Sequence, residues 1–104
     1  MSLVEYIEKS TLDYLASTGK SKRKAYGQFF TPSSIAQYMG SLLLCRKTEY
    51  NILDAGAGSG ILSAAVLDRV ASFGSPATIY LDAYENNTDI VPLLKANLEY
   101  ACFM

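Results

Sequence analysis

The chain of 104 residues contains no histidine. It therefore holds no Ser-His-Asp triad, no Cys-His dyad and no His-based zinc site of its own. Cysteine is scarce too. Cys45 and Cys102 lie far apart, each in an apolar stretch that reads as helical. They are expected to be reduced core thiols of an intracellular protein rather than a disulfide framework. Neither sign of charge dominates: nine Lys and Arg face ten Asp and Glu, a formal net charge of -1, which excludes a wholly basic nucleic-acid coat. No apolar run approaches the roughly 20 residues a membrane helix needs. The N-terminal Met-Ser-Leu-Val-Glu carries no basic leader region, so a cytoplasmic protein without a membrane partner is expected. The sequon Asn86-Asn87-Thr88 is then a chance match. What is present is half hydrophobic and 18% charged, enough for one modest folded domain and too apolar for a disordered tail.

Periodicity sets out the elements. Residues 2 to 18 read as an amphipathic helix, with Leu3, Val4, Ile7, Thr11, Tyr14 and Leu15 on one stripe. Ser2 is its expected N-cap with Glu5 reaching back, and Gly19 its left-handed end. A basic run, Lys20-Ser21-Lys22-Arg23-Lys24, precedes the aromatic loop Ala25 to Thr31. Thr31 then caps a helix with Pro32 at its first position, continuing to about Cys45 through Ile35, Ala36, Met39, Leu42 and Leu43. Asn51 to Asp54 is a short buried strand, followed by the glycine-rich turn 55–60 and a helix from Ile61 to about Phe73. Gly74-Ser75-Pro76 breaks that helix. Thr78 to Tyr84 is a second strand. Thr88 is expected to cap a last helix with Pro92 in its first turn and Val91, Leu94, Leu98 and Ala101 on its apolar face. Most of the eight tyrosines fall at core spacing on helices.

Strand-helix-strand-helix predicts a parallel α/β unit with a right-handed crossover. Two parallel strands do not complete such a sheet, because these strands are normally buried on both faces. The expected fold class is therefore α/β, the start of a Rossmann-like sheet of two parallel strands with flanking helices, preceded by N-terminal helices and incomplete in this chain. Self-association through unpaired sheet edges is the corollary.

A strand, a glycine-rich turn and a helix form a design for binding anions and nucleotides, since the helix N-terminus offers unpaired N–H groups. Spacing narrows the ligand. A P-loop requires a lysine that Ser59-Gly60-Ile61 does not supply, and the dinucleotide pattern fails at its third glycine, where Ile61 stands. What remains is Asp54, Gly56, Gly58 and Gly60 as Asp-x-Gly-x-Gly-x-Gly. A carboxylate at Asp54 repels pyrophosphate but suits an ammonium group. Glu85, at the end of the second strand, is placed to accept both hydroxyls of a ribose. Ammonium and carboxylate at one end with a ribose at the other describe S-adenosylmethionine (SAM), whose carboxylate the loop N–H groups would take.

These residues carry a resemblance. Ile52-Leu53-Asp54-Ala55-Gly56-Ala57-Gly58-Ser59-Gly60 resembles the SAM-binding motif I of class I methyltransferases, and Glu85 with Asn86-Asn87 resembles their motif II. Tyr26-Gly27-Gln28-Phe29-Phe30-Thr31-Pro32 resembles motif X of adenine-specific DNA methyltransferases of restriction–modification systems, in the subgroup that places this motif first. The resemblance implies a seven-stranded doubly wound sheet, SAM as cofactor, and methyl transfer to N6 of an adenine flipped from the duplex. It implies that Asp54, Gly56 and Gly58 line the methionine part, Glu85 holds the ribose and Asn86 lies near the adenine ring. Tyr26, Phe30 and Thr31 would close the methionine side. Residues 1–24 are then an N-terminal helix and basic loop, and 25–104 the first part of the SAM-binding domain.

The chain departs from the family at the catalytic Asn/Asp/Ser-Pro-Pro-Tyr/Phe motif, because Pro32, Pro76 and Pro92 are nowhere adjacent. No catalytic residue is therefore expected within it, and no metal site. DNA, the rest of the methyltransferase and its target-recognition domain are the implied partners. Several readings stay open. Lys20, Lys22, Arg23 and Lys24 either grip DNA phosphates or form a solvated linker. Phe29 and Phe30 serve as core, cofactor contact or both, and Glu85 is alternatively a surface cap of the following helix. A methyltransferase acting on RNA or protein shares motifs I and II. A non-catalytic module that binds SAM, or acts only by assembly, has the same incomplete sheet.

Overall fold

The computed structural model describes residues 2–17 and 30–102. Gly19, the basic run and Tyr26 to Phe29 lie outside the described residues, so the expectations placed on them are not addressed. In chain order the elements are α1 (Leu3–Ser17), α2 (Ser33–Ser41), β1 (Glu49–Ala55), α3 (Ile61–Ser72), β2 (Thr78–Tyr84) and α4 (Val91–Cys102). The fold is α/β, with two parallel strands paired from Glu49↔Thr78 to Ala55↔Tyr84.

Amphipathic spacing forms α1, and its start shows why tertiary context matters. Ser2 Oγ accepts from Glu5 N at 3.1 Å, the expected cap. The return arm from Glu5 is not made among the described residues. Instead Asp68 of α3 accepts the N–H groups of Leu3 and Val4, at 3.1 and 3.0 Å. A carboxylate there satisfies two orphan donors and complements the positive end of the helix. The stripe of α1 then buries Leu3, Val4 and Ile7 against Ala36 of α2 and Ile61, Ala64 and Ala65 of α3.

α2 differs from the sequence expectation at both ends. Pro32, not Thr31, occupies the N-cap position, with φ -60° and ψ 148°, and no side chain caps this end. Ala36 N still donates to the Pro32 carbonyl at 3.0 Å. The helix stops at Ser41, well before Cys45, where Leu42 N donates to the Met39 carbonyl and Leu43 N to the Gly40 carbonyl, at 3.2 and 3.1 Å. Only Ala36 and Gly40 are buried on it; Ile35, Met39 and Leu42 are exposed. Close approach explains the choice: a Cβ on Gly40 would lie 2.8 Å from the Ala65 carbonyl oxygen, so α2 meets α3 through its smallest residues.

Each strand is covered on one face. Tyr50, Ile52 and Asp54 of β1, with Ile79, Leu81 and Ala83 of β2, are buried or half-buried, whereas Leu53, Tyr80 and Tyr84 are exposed. The strand expected to be buried is therefore half bare, as an incomplete sheet requires. The tyrosines do not follow the helical-core expectation either, since Tyr38, Tyr80 and Tyr84 are exposed, two of them on a strand. Cys45 and Cys102 are both free and exposed, not core thiols. One lies in the irregular segment after α2 and the other is the last residue of α4, so neither reaches the interior. Thr88 does not adjoin α4. It sits in the preceding turn, where the Asn87 carbonyl accepts from Ile90 N at 3.0 Å and Asn87 Oδ1 from Asp89 N at 3.0 Å.

Candidate functional site

Parallel pairing brings the C-terminal ends of β1 and β2 side by side, and ligands of open α/β sheets bind in that place. The turn after β1 is fastened to β2 from its first residue. The Tyr84 carbonyl accepts from both Gly56 N and Ala57 N, at 2.8 and 2.9 Å. Gly60 N then returns to the Ala57 carbonyl at 2.9 Å. This tight path requires left-handed backbone: Gly58 has φ 57° and Gly60 φ 94°. At Gly60 the torsion demands glycine, and a Cβ would also press on Leu94 Cδ1 at 3.2 Å, which would have to give by a few tenths of an ångström.

Glu85 leaves β2 and turns over the loop. Its Oε1 accepts from Gly58 N and its Oε2 from Asn87 N, both at 2.9 Å. The sequence expectation offered the loop N–H groups to a ligand carboxylate. Those of Gly56, Ala57, Gly58 and Gly60 already have protein partners. Among the described residues, the donors left for an anion at this end are Ser59 N and those of the first turn of α3, which Gly60 starts without any side-chain cap. Asp54 lies on the covered face of β1, and its Oδ2 accepts from Ser63 Oγ of α3 at 2.5 Å.

Phe30 comes from the segment before α2 and reaches the same turn. A Cβ built on Gly58 would lie 3.9 Å from its ring, and the ring also meets Tyr14 of α1 edge-on, 6.3 Å between centroids. Thus Phe30, Gly58 and Glu85 converge, with Gly56 beside them. Thr31 is half-buried next to Phe30, and Asn86 is exposed beyond Glu85. Tyr26, Lys20, Lys22, Arg23 and Lys24 lie outside the described residues.

Three residues that sequence reasoning did not single out belong to this arrangement. Ser63 holds Asp54. Asn97, buried on α4, donates from Nδ2 to the Ser59 carbonyl at 2.8 Å. Ser59 itself is buried, and its Oγ has no partner among the described residues. A signal for Asn97 existed: an amide at a position that periodicity places beside Leu94 and Leu98 is a polar group on a packed face. Ser63 gave none, since a small residue early in a helix is unremarkable. No cluster of three or more His, Cys, Asp or Glu able to hold a metal occurs among the described residues.

Comparison with known proteins gives this geometry a context. The chain is 39% identical over 71 residues to the type II methyltransferase M.BsuBI of Bacillus subtilis, a match covering 67% of this chain and 14% of that protein. It is 33% identical over 78 residues to M.AccI of Acinetobacter calcoaceticus, covering 70% and 14%. With M.PstI of Providencia stuartii the identity is 35% over 83 residues, covering 80% and 16%. The chain thus spans no more than 16% of the length of these relatives. No solved structure matches. The model of the N-6 DNA methylase family matches residues 9–98, from α1 through the glycine turn and Glu85 into α4, and the chain belongs to that family.

Proposed function

We propose that this chain binds S-adenosylmethionine at the C-terminal ends of β1 and β2 and forms the cofactor-holding part of a DNA methyltransferase acting on adenine N6. The observation that carries this reading is the Glu85 carboxylate, held 2.9 Å from Gly58 N at the mouth of the glycine turn. It stands at the end of the strand next to the loop strand, where a carboxylate can receive ribose hydroxyls. The donor set fits the cofactor in charge and in shape. Carboxylates stand at two strand ends, an uncapped helix start faces an anion, and Gly56 has open space where a Cβ would be.

In this reading Asp54 accepts from the cofactor ammonium while Ser63 fixes its other oxygen. The first turn of α3 receives the methionine carboxylate, Gly56 and Gly58 leave room for the chain, and Glu85 binds the ribose. Asn86 lies beside the adenine ring. Phe30, with Thr31 and Tyr26, closes the methionine side. Bound SAM supplies an electrophilic methyl group on a sulfonium. The chain's own residues bind and orient it, and they include no Pro-Pro-aromatic motif to orient a target base. Methyl transfer therefore depends on groups supplied by the rest of the methyltransferase, as does reading of the DNA site by a target-recognition domain. Lys20, Lys22, Arg23 and Lys24 are placed in sequence to add phosphate contacts. Membership of a DNA methylase family favours DNA over RNA or protein as the acceptor.

Isothermal titration of the chain with SAM tests the reading. Binding is expected, and Glu85→Ala should weaken it about tenfold or more, the usual size for losing hydrogen bonds to a charged group. A chain that is folded by circular dichroism yet takes up no SAM overturns it.

A further inference from the structure

A buried side-chain amide is costly unless both of its ends are bonded, so its partners disclose what it is for. Asn97 is 1% exposed and has partners on two other elements. Nδ2 donates to the Ser59 carbonyl at 2.8 Å, and Oδ1 accepts from Ser10 Oγ of α1 at 2.9 Å. The orientation of the amide is set by chemistry, because only its NH2 can serve a carbonyl. The Ser10 hydroxyl also lies 3.0 Å from the Ile7 carbonyl, so its one proton is shared between two acceptors. The Ser59 end is the stronger of the two bonds.

Ser59 needs that bond. It lies between Gly58 and Gly60, both left-handed, where the backbone is least restrained by its own residues. Among the described residues its hydroxyl finds no partner, and its carbonyl is held from α4 alone. The loop has a tie to Tyr84 at its start and one to Glu85 at Gly58; the Asn97 bond is the tie at its far side, just before α3 begins.

We infer that Asn97 is a positioning residue for the glycine turn: by fixing the Ser59 carbonyl it sets Gly58 and the uncapped first turn of α3, and through Ser10 it joins that setting to α1. Asn97 touches no ligand in this scheme. The inference rests on the cofactor reading for its effect on binding, but not for its effect on the loop itself.

The test measures both. Amide hydrogen exchange of residues 56–60 is followed in the chain without SAM, and SAM affinity by titration, for wild type, Asn97→Asp and Asn97→Ser. The aspartate keeps size and an acceptor for Ser10 but sets a carboxylate oxygen against the Ser59 carbonyl; the serine adds no charge, and its hydroxyl is one bond too short to take the place of Nδ2. Either variant should speed exchange at Gly58 and Gly60 and weaken SAM by about tenfold, the scale of one lost buried hydrogen bond. Val70→Ala, a core truncation at the far end of α3, should destabilise the fold yet leave SAM affinity within about twofold, since distant sites act independently. Loop exchange and SAM affinity that change no more than in Val70→Ala would overturn the inference. If wild type binds no SAM, the cofactor reading fails by itself, and loop exchange still decides the role of Asn97.

Discussion

Asp68 accepts the first two N–H groups of α1 from 65 residues further along the chain. A local cap holds only its own helix, whereas this one also fixes the angle at which α1 meets α3. Asp68→Ala should lower stability by about 1–2 kcal/mol in urea unfolding, the range for a lost cap plus a lost charge at a helix start. Asp68→Asn should recover part of it, keeping one acceptor and losing the charge. Equal stability of all three chains would mean that water serves these donors as well. Ser63 makes the complementary case at the ligand end. It is 2% exposed, and its hydroxyl is the partner of Asp54 Oδ2. Ser63→Ala should lower stability by about 1–2 kcal/mol, the scale of one lost hydrogen bond to a half-buried carboxylate, and should weaken SAM about threefold to tenfold by releasing one carboxylate oxygen. Unchanged SAM affinity would place Asp54 outside the binding set.

Among the elements, the contact of α2 with α3 is the one most sharply limited by a single atom. Gly40→Ala brings a methyl to 2.8 Å from the Ala65 carbonyl oxygen, which is backbone and cannot swing away. Overpacking of this kind costs about 1–3 kcal/mol, outweighing the roughly 1 kcal/mol that alanine adds to helix propensity. A Gly40→Ala chain as stable as wild type in urea would show that α2 can shift outward freely. The same helix shows where sequence reading reached its limit. Its apolar residues Ile35, Met39, Leu42 and Leu43 continue a helical period past Ser41, so periodicity alone extends it to Cys45. The backbone turns off at Leu42 because the buried contact of the helix is made by Ala36 and Gly40, and beyond it the Leu43 carbonyl is taken by Arg69 Nε of α3 at 3.0 Å while Leu42 and Leu44 stay exposed. The strands and the glycine turn were legible because their signals are local: short apolar runs bounded by turn residues, three spaced glycines and an acidic strand end each act through their own backbone. The ties that fasten the turn were not. Asn97 to Ser59, Ser63 to Asp54 and Asp68 to α1 join residues whose pairing is decided only when the helices are stacked.

At the scale of the whole molecule, helices cover one face of the sheet and leave the other bare. Leu53, Tyr80 and Tyr84 stand on the open face at 67%, 55% and 62% exposure. A second apolar surface runs beside β2 as a groove of about 790 Å³, lined by Leu67 and Val70 of α3, Ile79 and Leu81 of β2, and Leu98 and Ala101 of α4. Parallel strands are otherwise found covered on both faces, and apolar patches beyond a few hundred Å² mark contacts with other protein. The relatives are several times longer than this chain. Studied on its own, the chain should cover both surfaces with copies of itself. Light scattering at about 50 µM is expected to give a mass above the 11.3 kDa of one chain, driven by burial of roughly 25 cal/mol per Å² of apolar area. Leu53→Lys with Tyr80→Lys should move the mass toward the monomer. The first lysine pairs across the strands with Asp82 and the second with Asn51; the two lysines are diagonal neighbours, but Asp82 lies beside both and offsets their repulsion. Far-ultraviolet dichroism should therefore stay as in wild type while association weakens. A wild-type chain that scatters as a monomer would mean that water tolerates this face uncovered. A double variant that remains associated would move the contact to the groove beside β2.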